Sequence, residues 1–307
     1  MSAKWSTIAP LFYRWRDLEV PFDLGCGVLV GAVPEWVKGK DVVSALSSDV
    51  REYLKDDVRY ALAVQYEADC LGQPDPSWKG TETMSKRKHA RYRIICANLA
   101  IWVAKPSSLC FGILIYAKQR REGTWKLIEL CEPGYLEPHA NDLPNKIESS
   151  DLESAGDLLS AILNVGSRGT ISVALRTLWT ALCERVWEVR YLLFWVALEA
   201  LFGPEDAREI SYRMSQRVAF FLGADRESAQ GIFKEAKEGY SWRSKAVHGM
   251  RLDKLRKKEH EKSAKLMYDA QELVRKTLKK ILADPKLVKT FSGPGRERYL
   301  DGLPFST

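Results

Sequence analysis

No two cysteines are spaced as CxxC, and no Cys-His pair is spaced as CxxH. The six cysteines, Cys26, Cys70, Cys96, Cys110, Cys131 and Cys183, are scattered, and only four histidines accompany them. A structural zinc site needs closely spaced Cys and His ligands, so neither a metal nor another cofactor is expected. The N-terminus does not read as a signal peptide. Together with the cysteine spacing this predicts a cytoplasmic protein without a disulfide framework. The longest apolar run, Tyr191–Leu198, meets Glu199 after eight residues, whereas a membrane span takes about 20. A phosphate-binding GxxxxGK[ST] loop, HExxH and GxSxG are also missing. The string Gly25-Cys26-Gly27…Gly31 is not a dinucleotide fingerprint. Val28-Leu29-Val30 reads as extended and Pro34 follows, where that fingerprint needs a helix to open.

Positive charge is what the chain has in excess, and it is concentrated. The net charge is +7, and residues 237–280 alone carry fourteen Lys/Arg against six Asp/Glu. A second cluster, Lys86, Arg87, Lys88, Arg91 and Arg93, contains no acid. Such clusters suit a polyanionic partner through counterion release, or else form a solvated helix face.

Two textures meet near residue 150, in a chain whose length suits two domains. In residues 1–150, β-branched and aromatic runs (Gly27–Val33, Tyr60–Tyr66, Tyr92–Val103, Leu109–Ala117) read as strands between turn clusters, and Asp41–Leu54 reads as a helix. This predicts an α+β domain. Residues 132–150 read as a linker. Residues 151–307 read as all-helical. A short helix is capped by Asp151. A long one, capped by Thr170, carries Ile171, Leu175, Leu178, Leu182, Val186, Val189, Leu193, Val196 and Ala200 as one stripe up to Gly203-Pro204. Further helices are expected over 206–222, up to Gly239, and over Asp253–Ala283. The last buries Leu266, Ala270, Leu273, Thr277 and Ile281. An up-and-down bundle follows from these lengths.

Arg243 and His248 are the candidate catalytic pair. Their spacing says little by itself, since an Arg shortly before a His is common. Five positions along a helix also turn through about 140°, so the side chains do not share a face. They converge if a helix starts at Arg243, with Ser241 as its cap, or if two protomers each contribute to one site.

The surroundings carry more. Phe194-Trp195-Val196-Ala197-Leu198-Glu199-Ala200-Leu201-Phe202-Gly203 is followed by Glu209-Ile210-Ser211-Tyr212-Arg213-Met214, then by Tyr240-Ser241-Trp242-Arg243-Ser244-Lys245-Ala246-Val247-His248-Gly249, and last by Tyr299-Leu300-Asp301-Gly302-Leu303-Pro304-Phe305. This succession resembles the ApeA-like HEPN family over roughly residues 155–307. The first half looks, more loosely, like the region that accompanies that domain and would sense a trigger or restrain activity.

The resemblance implies an all-α HEPN helical bundle that forms a homodimer and cleaves RNA without a metal. The 2′-OH is the nucleophile, the product ends in a 2′,3′-cyclic phosphate, and the setting is prokaryotic defence against phage. His248 would transfer protons, and Arg243 would hold the phosphorane oxygens. Glu199, Tyr240 and Ser244 would support them. Lys245, Arg251, Lys254, Arg256, Lys257 and Lys258 would contact RNA. Glu199 is either a partner for Arg243 or a salt-bridged helix residue, and Tyr240 and Trp242 fit a core. Some relatives carry a Tyr two positions after the His as a modification target. Met250 stands there in this chain. The alternative is a non-catalytic module for RNA or nucleotide binding, or for assembly.

Overall fold

The computed structural model describes the chain apart from residues 1–2, 12–17, 49–50, 52–53, 55–57, 69–84, 108–110, 132–145, 166–168, 205–208, 249–259 and 306–307. It divides into two compact units, Met1–Gly166 and Ser167–Thr307. Composition changes near residue 150, but the helix that follows packs within the first unit.

The first unit is α+β. Strands β1 (Ala3–Leu11), β2 (Phe22–Asp23), β3 (Leu29–Ala32), β4 (Tyr60–Ala68), β5 (Leu114–Gln119) and β6 (Trp125–Cys131) form one antiparallel sheet, ordered β2-β3-β4-β1-β5-β6. Helices α1 (Lys40–Ser44) and α2 (Lys86–Ala104) pack against it, and α3 (Ser149–Asn164) packs on α2. Register assigns the faces. Ile8, Ala63 and Ile115 align on one face, where they meet Val37, Val42, Leu46 and Leu54. Thr7, Val64 and Tyr116 align on the other, where the α2 residue Arg87 lies 4.3 Å above the Tyr116 ring.

Three expected strands are present, but the run Tyr92–Val103 belongs to α2. The Ser85 side chain accepts a hydrogen bond from the Lys88 N–H and starts that helix. The helix lies between the sheet and α3 and is buried almost all round from Cys96 to Ala104, so no amphipathic period survives to be read. The expected Asp41–Leu54 helix opens as the short α1, although Val42, Leu46 and Leu54 share one core cluster. Asp151 is not a helix cap but the third residue of α3, in a capping box with Glu148. Gly25, Cys26 and Gly27 all have positive φ in the turn between β2 and β3. The basic cluster is partly consumed internally: Arg87 pairs with Glu129, Lys86 donates to the Glu67 carbonyl at 2.5 Å, and Arg93 to the Cys26 carbonyl at 3.1 Å.

The second unit is helical: α4 (Thr170–Cys183), α5 (Trp187–Phe202), α6 (Ile210–Leu222), α7 (Arg226–Val247), α8 (His260–Ala283), α9 (Pro285–Ser292) and α10 (Arg296–Gly302). The expected single helix from Thr170 to Ala200 is two helices. The chain breaks at Glu184-Arg185-Val186, where a Glu184 carboxylate oxygen accepts from the Val186 N–H at 2.8 Å, and α5 folds back along α4. The stripe splits with it. Ile171, Leu175 and Leu178 are buried, but Val186, Val189 and Val196 are 52%, 41% and 38% exposed. Burial in α5 falls instead on Tyr191, Phe194, Trp195, Leu198 and Leu201. Thr170 is not a cap either; Gly169 is, and the Thr170 hydroxyl donates to the Phe291 carbonyl at 2.5 Å. Gly203 and Gly223 do end α5 and α6. Helix α8 buries Leu266, Ala270, Leu273, Thr277 and Ile281 as expected, against α5, α6 and α7. The beginning of its expected span, 253–259, lies outside the described residues.

Two arginines close the C-terminal end of α5. Arg217 donates to the Phe202 carbonyl (3.0 Å) and pairs with Glu297 (2.5 Å) and Asp301 (2.7 Å) of α10. Arg296 donates to the carbonyls of Ala200, Leu201 and Gly203 at 3.0, 3.2 and 3.1 Å. These are the carbonyls that a helix end leaves without intrahelical partners.

Candidate functional site

The block from Tyr240 to Val247 is the last part of one 22-residue helix, α7, which starts at the Asp225 capping box. Gly239 therefore does not stop a helix, and Ser241 does not start one. Gly239 is buried mid-helix against α5. A Cβ there would lie 2.3 Å from Cζ2 of Trp195, and the Gly239 carbonyl accepts a 2.7 Å hydrogen bond from the Tyr191 hydroxyl. The glycine is needed for close approach of two helices, not for a turn. An aromatic ladder runs beside it. Trp187 stacks on Tyr191, Tyr191 meets Trp195 edge-on, and Trp195 meets Tyr240 edge-on with centroids 5.7 Å apart.

This contact places Arg243 against Glu199 of α5. Their nearest charged atoms are 2.9 Å apart, with side chains 23% and 20% exposed. The Arg243 guanidinium also lies 5.4 Å from the Tyr240 ring centroid, and its buried Nε has no hydrogen-bond partner among the described residues. Tyr240 is core, as expected. Its phenol is pushed up to about 12 by burial, then by the Glu199 charge and by donating a hydrogen bond to that carboxylate; Arg243 opposes the shift. The folded value lies above the ordinary one of 10.0, so the contribution of Tyr240 to stability is complete below pH 10 and is lost as pH rises toward 12. The Tyr240→Phe variant is expected to lose less stability than wild type over that interval, measured as chemical-denaturation midpoints at successive alkaline pH values. Other raised tyrosines, Tyr66, Tyr116, Tyr191 and Tyr299, respond equally in both proteins.

His248 caps the C-terminus of α7, and its N–H donates to the Ser244 carbonyl at 3.1 Å. It is exposed, and among the described residues its side chain bonds to neither Arg243 nor Glu199. At about 100° per residue, Lys237, Ser241, Lys245 and His248 fall within about 40° of one line along α7, whereas Arg243 points about 160° away from Ser241. The expected helix start at Arg243 is thus not found. Within one chain the two residues face apart.

On the His248 side α7 carries a cleft of about 560 Å³ lined by Phe233, Lys234, Lys237, Glu238, Ser241, Trp242, Lys245 and, from α8, Lys262. Trp242 is half-buried in its wall rather than in the core. The Lys245 ammonium lies 3.9 Å and that of Lys262 5.2 Å from its ring centroid. Ser244 is half-buried. Lys245 thus lies on the His248 side of α7, and Arg243 on the other. Arg251, Lys254, Arg256, Lys257 and Lys258 lie outside the described residues, as does Met250. Lys237 and Lys262 lie within the basic stretch 237–280, but neither they nor Lys234 are among the expected RNA contacts. Their joint signal is a Lys at steps of three and eight along α7 that only becomes a groove once α8 packs alongside.

No group of three or more Cys, His, Asp or Glu side chains is placed to hold a metal ion among the described residues. The thiols Cys96 and Cys183 are both pushed up to about 12 by burial, which makes poor nucleophiles of them. No described helix is long and apolar enough to cross a membrane. Comparison of the chain with protein-family models, curated proteins and solved structures finds no match.

Proposed function

We propose that the Ser167–Thr307 unit is a metal-independent endoribonuclease of the HEPN type, acting as a homodimer in defence against phage. The observation that carries the proposal is the position of His248: exposed at the end of α7, on the face lined by Lys237 and Lys245. RNA supplies the 2′-OH nucleophile. Its proton passes to a base, the 2′-oxygen bonds to phosphorus, the P–O5′ bond breaks, and an acid protonates the departing 5′-oxygen. The products are a 2′,3′-cyclic phosphate and a 5′-hydroxyl. Histidine serves as either base or acid near neutral pH, and a dimer supplies one of each. Arg243 spends Nη2 on Glu199, and a guanidinium carries five N–H donors, so further donors are left for a phosphate oxygen.

The dimer is supported by α5. Val186, Val189, Leu193 and Val196 recur at steps of three and four, the spacing of a coiled-coil seam, and three of them are more than a third exposed. Glu199 follows three residues after Val196, on the flank of that seam, so the Arg243–Glu199 pairs of two copies would border one interface. The double substitution Val189→Glu/Val196→Glu is expected to convert the dimer to a monomer in sedimentation and to abolish cleavage with it. Wild type that sediments as a monomer at assay concentration removes this arrangement.

A second reading is a non-catalytic RNA-binding or assembly module. One observation favours it: Arg243 is already neutralised by Glu199 and faces away from His248. Incubation of the protein with RNA in EDTA, followed by analysis of product ends, decides between them. Cyclic phosphate ends that disappear in His248→Ala support the nuclease; undiminished RNA binding with no hydrolysis by wild type supports the module.

A further inference from the structure

The cleft beside His248 does not end at Phe233. A second cavity of about 920 Å³ continues from Phe233 and Lys234 toward the start of α7, between α6 and α7. Its walls include Tyr212, Phe220, Gln216, Gln230 and Arg226. The two cavities share Phe233 and Lys234, so together they form one groove along α7 from Arg226 to Lys245. Nineteen steps at 1.5 Å make it about 30 Å long.

Two features of this groove recur along its length. Flat apolar faces line it: Tyr212, 48% exposed and edge-on to Phe233 at 5.5 Å, then half-buried Phe233, then half-buried Trp242. Cations are interspersed with them, in the order Arg226, Lys234, Lys237, Lys245, with Lys262 joining from α8. Asp225 and Glu238 are the acids in the walls, and Asp225 is occupied in capping α7. The lining is therefore net cationic. Several of these cations already rest on aromatic rings: Lys245 and Lys262 on Trp242, and Lys237 on Phe233 at 5.7 Å. Such lysines shield apolar rings from water and can swing to phosphate as bases take their places.

We infer that this groove binds the RNA as a single strand, bases stacked on Tyr212, Phe233 and Trp242 and phosphates on the lysines, and delivers it to His248 at its end. The inference rests on the ribonuclease reading for the identity of the polymer. The choice of single strand over duplex rests on the groove itself. Duplex bases have their faces covered by neighbours and cannot stack on side chains, whereas unpaired bases can. The length suits a site of several nucleotides, in the range of about 4–16 typical of single-strand grooves.

The test measures fluorescence anisotropy of a labelled oligoribonucleotide, single-stranded or annealed to its complement, with the full chain carrying His248→Ala so that the probe survives. Single-stranded RNA is expected to bind at least tenfold more tightly than the duplex. Lys237→Ala and Lys234→Ala, both at exposed positions, are each expected to lower the slope of log affinity against log salt by about 0.7. Trp242→Ala is expected to weaken single-strand binding roughly tenfold. Trp242→Phe, which keeps a ring for packing and stacking, should restore most of it, and thereby separates stacking from loss of fold. Equal or tighter duplex binding overturns the inference, as does wild-type affinity in all the groove variants. If wild type still cleaves RNA in that case, the ribonuclease reading stands without the groove. Groove-dependent binding with no cleavage leaves the groove and removes the nuclease. Neither binding nor cleavage removes both.

Discussion

Replacing His248 by alanine is expected to lower RNA cleavage by roughly 10²–10⁴-fold, the range for loss of a general acid or base, while RNA affinity and folding stay at the wild-type level. His248 is exposed, so its removal leaves no buried cavity; surface changes of this kind alter stability by about 0.5 kcal/mol or less. Arg243→Ala offers the contrast. It removes a donor for phosphate and also strands Glu199, whose side chain is only 20% exposed. Unpairing a largely buried acceptor costs about 1–3 kcal/mol. Initial rates and urea midpoints measured on both variants separate the two effects: His248→Ala should change the rate alone, and Arg243→Ala should change both. Cleavage by His248→Ala at the wild-type rate would falsify the catalytic assignment.

The second large effect is at Gly239. Adding one methyl group puts a Cβ 2.3 Å from the Trp195 ring, well inside contact distance. Trp195 is 1% exposed and is held by Tyr191 and Tyr240, so it has no direction in which to yield. Gly239→Ala is therefore expected to push α7 off α5 and to destabilise the protein by about 1–3 kcal/mol or more, outweighing the roughly 1 kcal/mol by which alanine is otherwise the better helix residue. Thermal or urea unfolding reads this directly. Because the same contact sets Arg243 against Glu199, the variant should also lose cleavage at temperatures where it remains folded. A stability equal to or above wild type would mean that the helices have room to separate.

These two residues also show what the sequence exposes and what it conceals. The α8 stripe from Leu266 to Ile281 is legible because one side of that helix faces solvent, and the pattern of Lys and Glu between its apolar residues marks that side. Helix α5 is apolar nearly all round, so its spacing offers several equally good stripes. The stripe that continues from α4 is the wrong one, because the break at Glu184–Val186 involves neither Gly nor Pro. Gly239 misleads for the opposite reason: it looks like a helix stop but is a contact surface. Strand β1 is not among the runs expected as strands, and it contains Pro10. A proline lacks the N–H that a central strand donates. Here β5 pairs only with Trp5–Ile8, so Pro10 lies past the end of that pairing. Of the candidate site, the Arg243–Glu199 contact follows one of the two readings left open for Glu199, and the burial of Tyr240 follows from its residue type. The groove beside His248 does not, since Lys262 joins it from another helix.

The closure of α5 by Arg217 and Arg296 has a consequence for how the protein is made. Helix α5 carries both Glu199 and the outward valine seam, and the carbonyls of Ala200, Leu201 and Gly203 at its end accept from Arg296 at the start of α10, 93 to 96 residues later in the chain. Chains emerge from the ribosome N-terminal end first, so within the helical unit the clasp appears well after the helix that it finishes. Order of synthesis and order of assembly are thus opposed. A chain still being translated holds the pieces of the site without the fastening that fixes them, and the unit is completed only at its end.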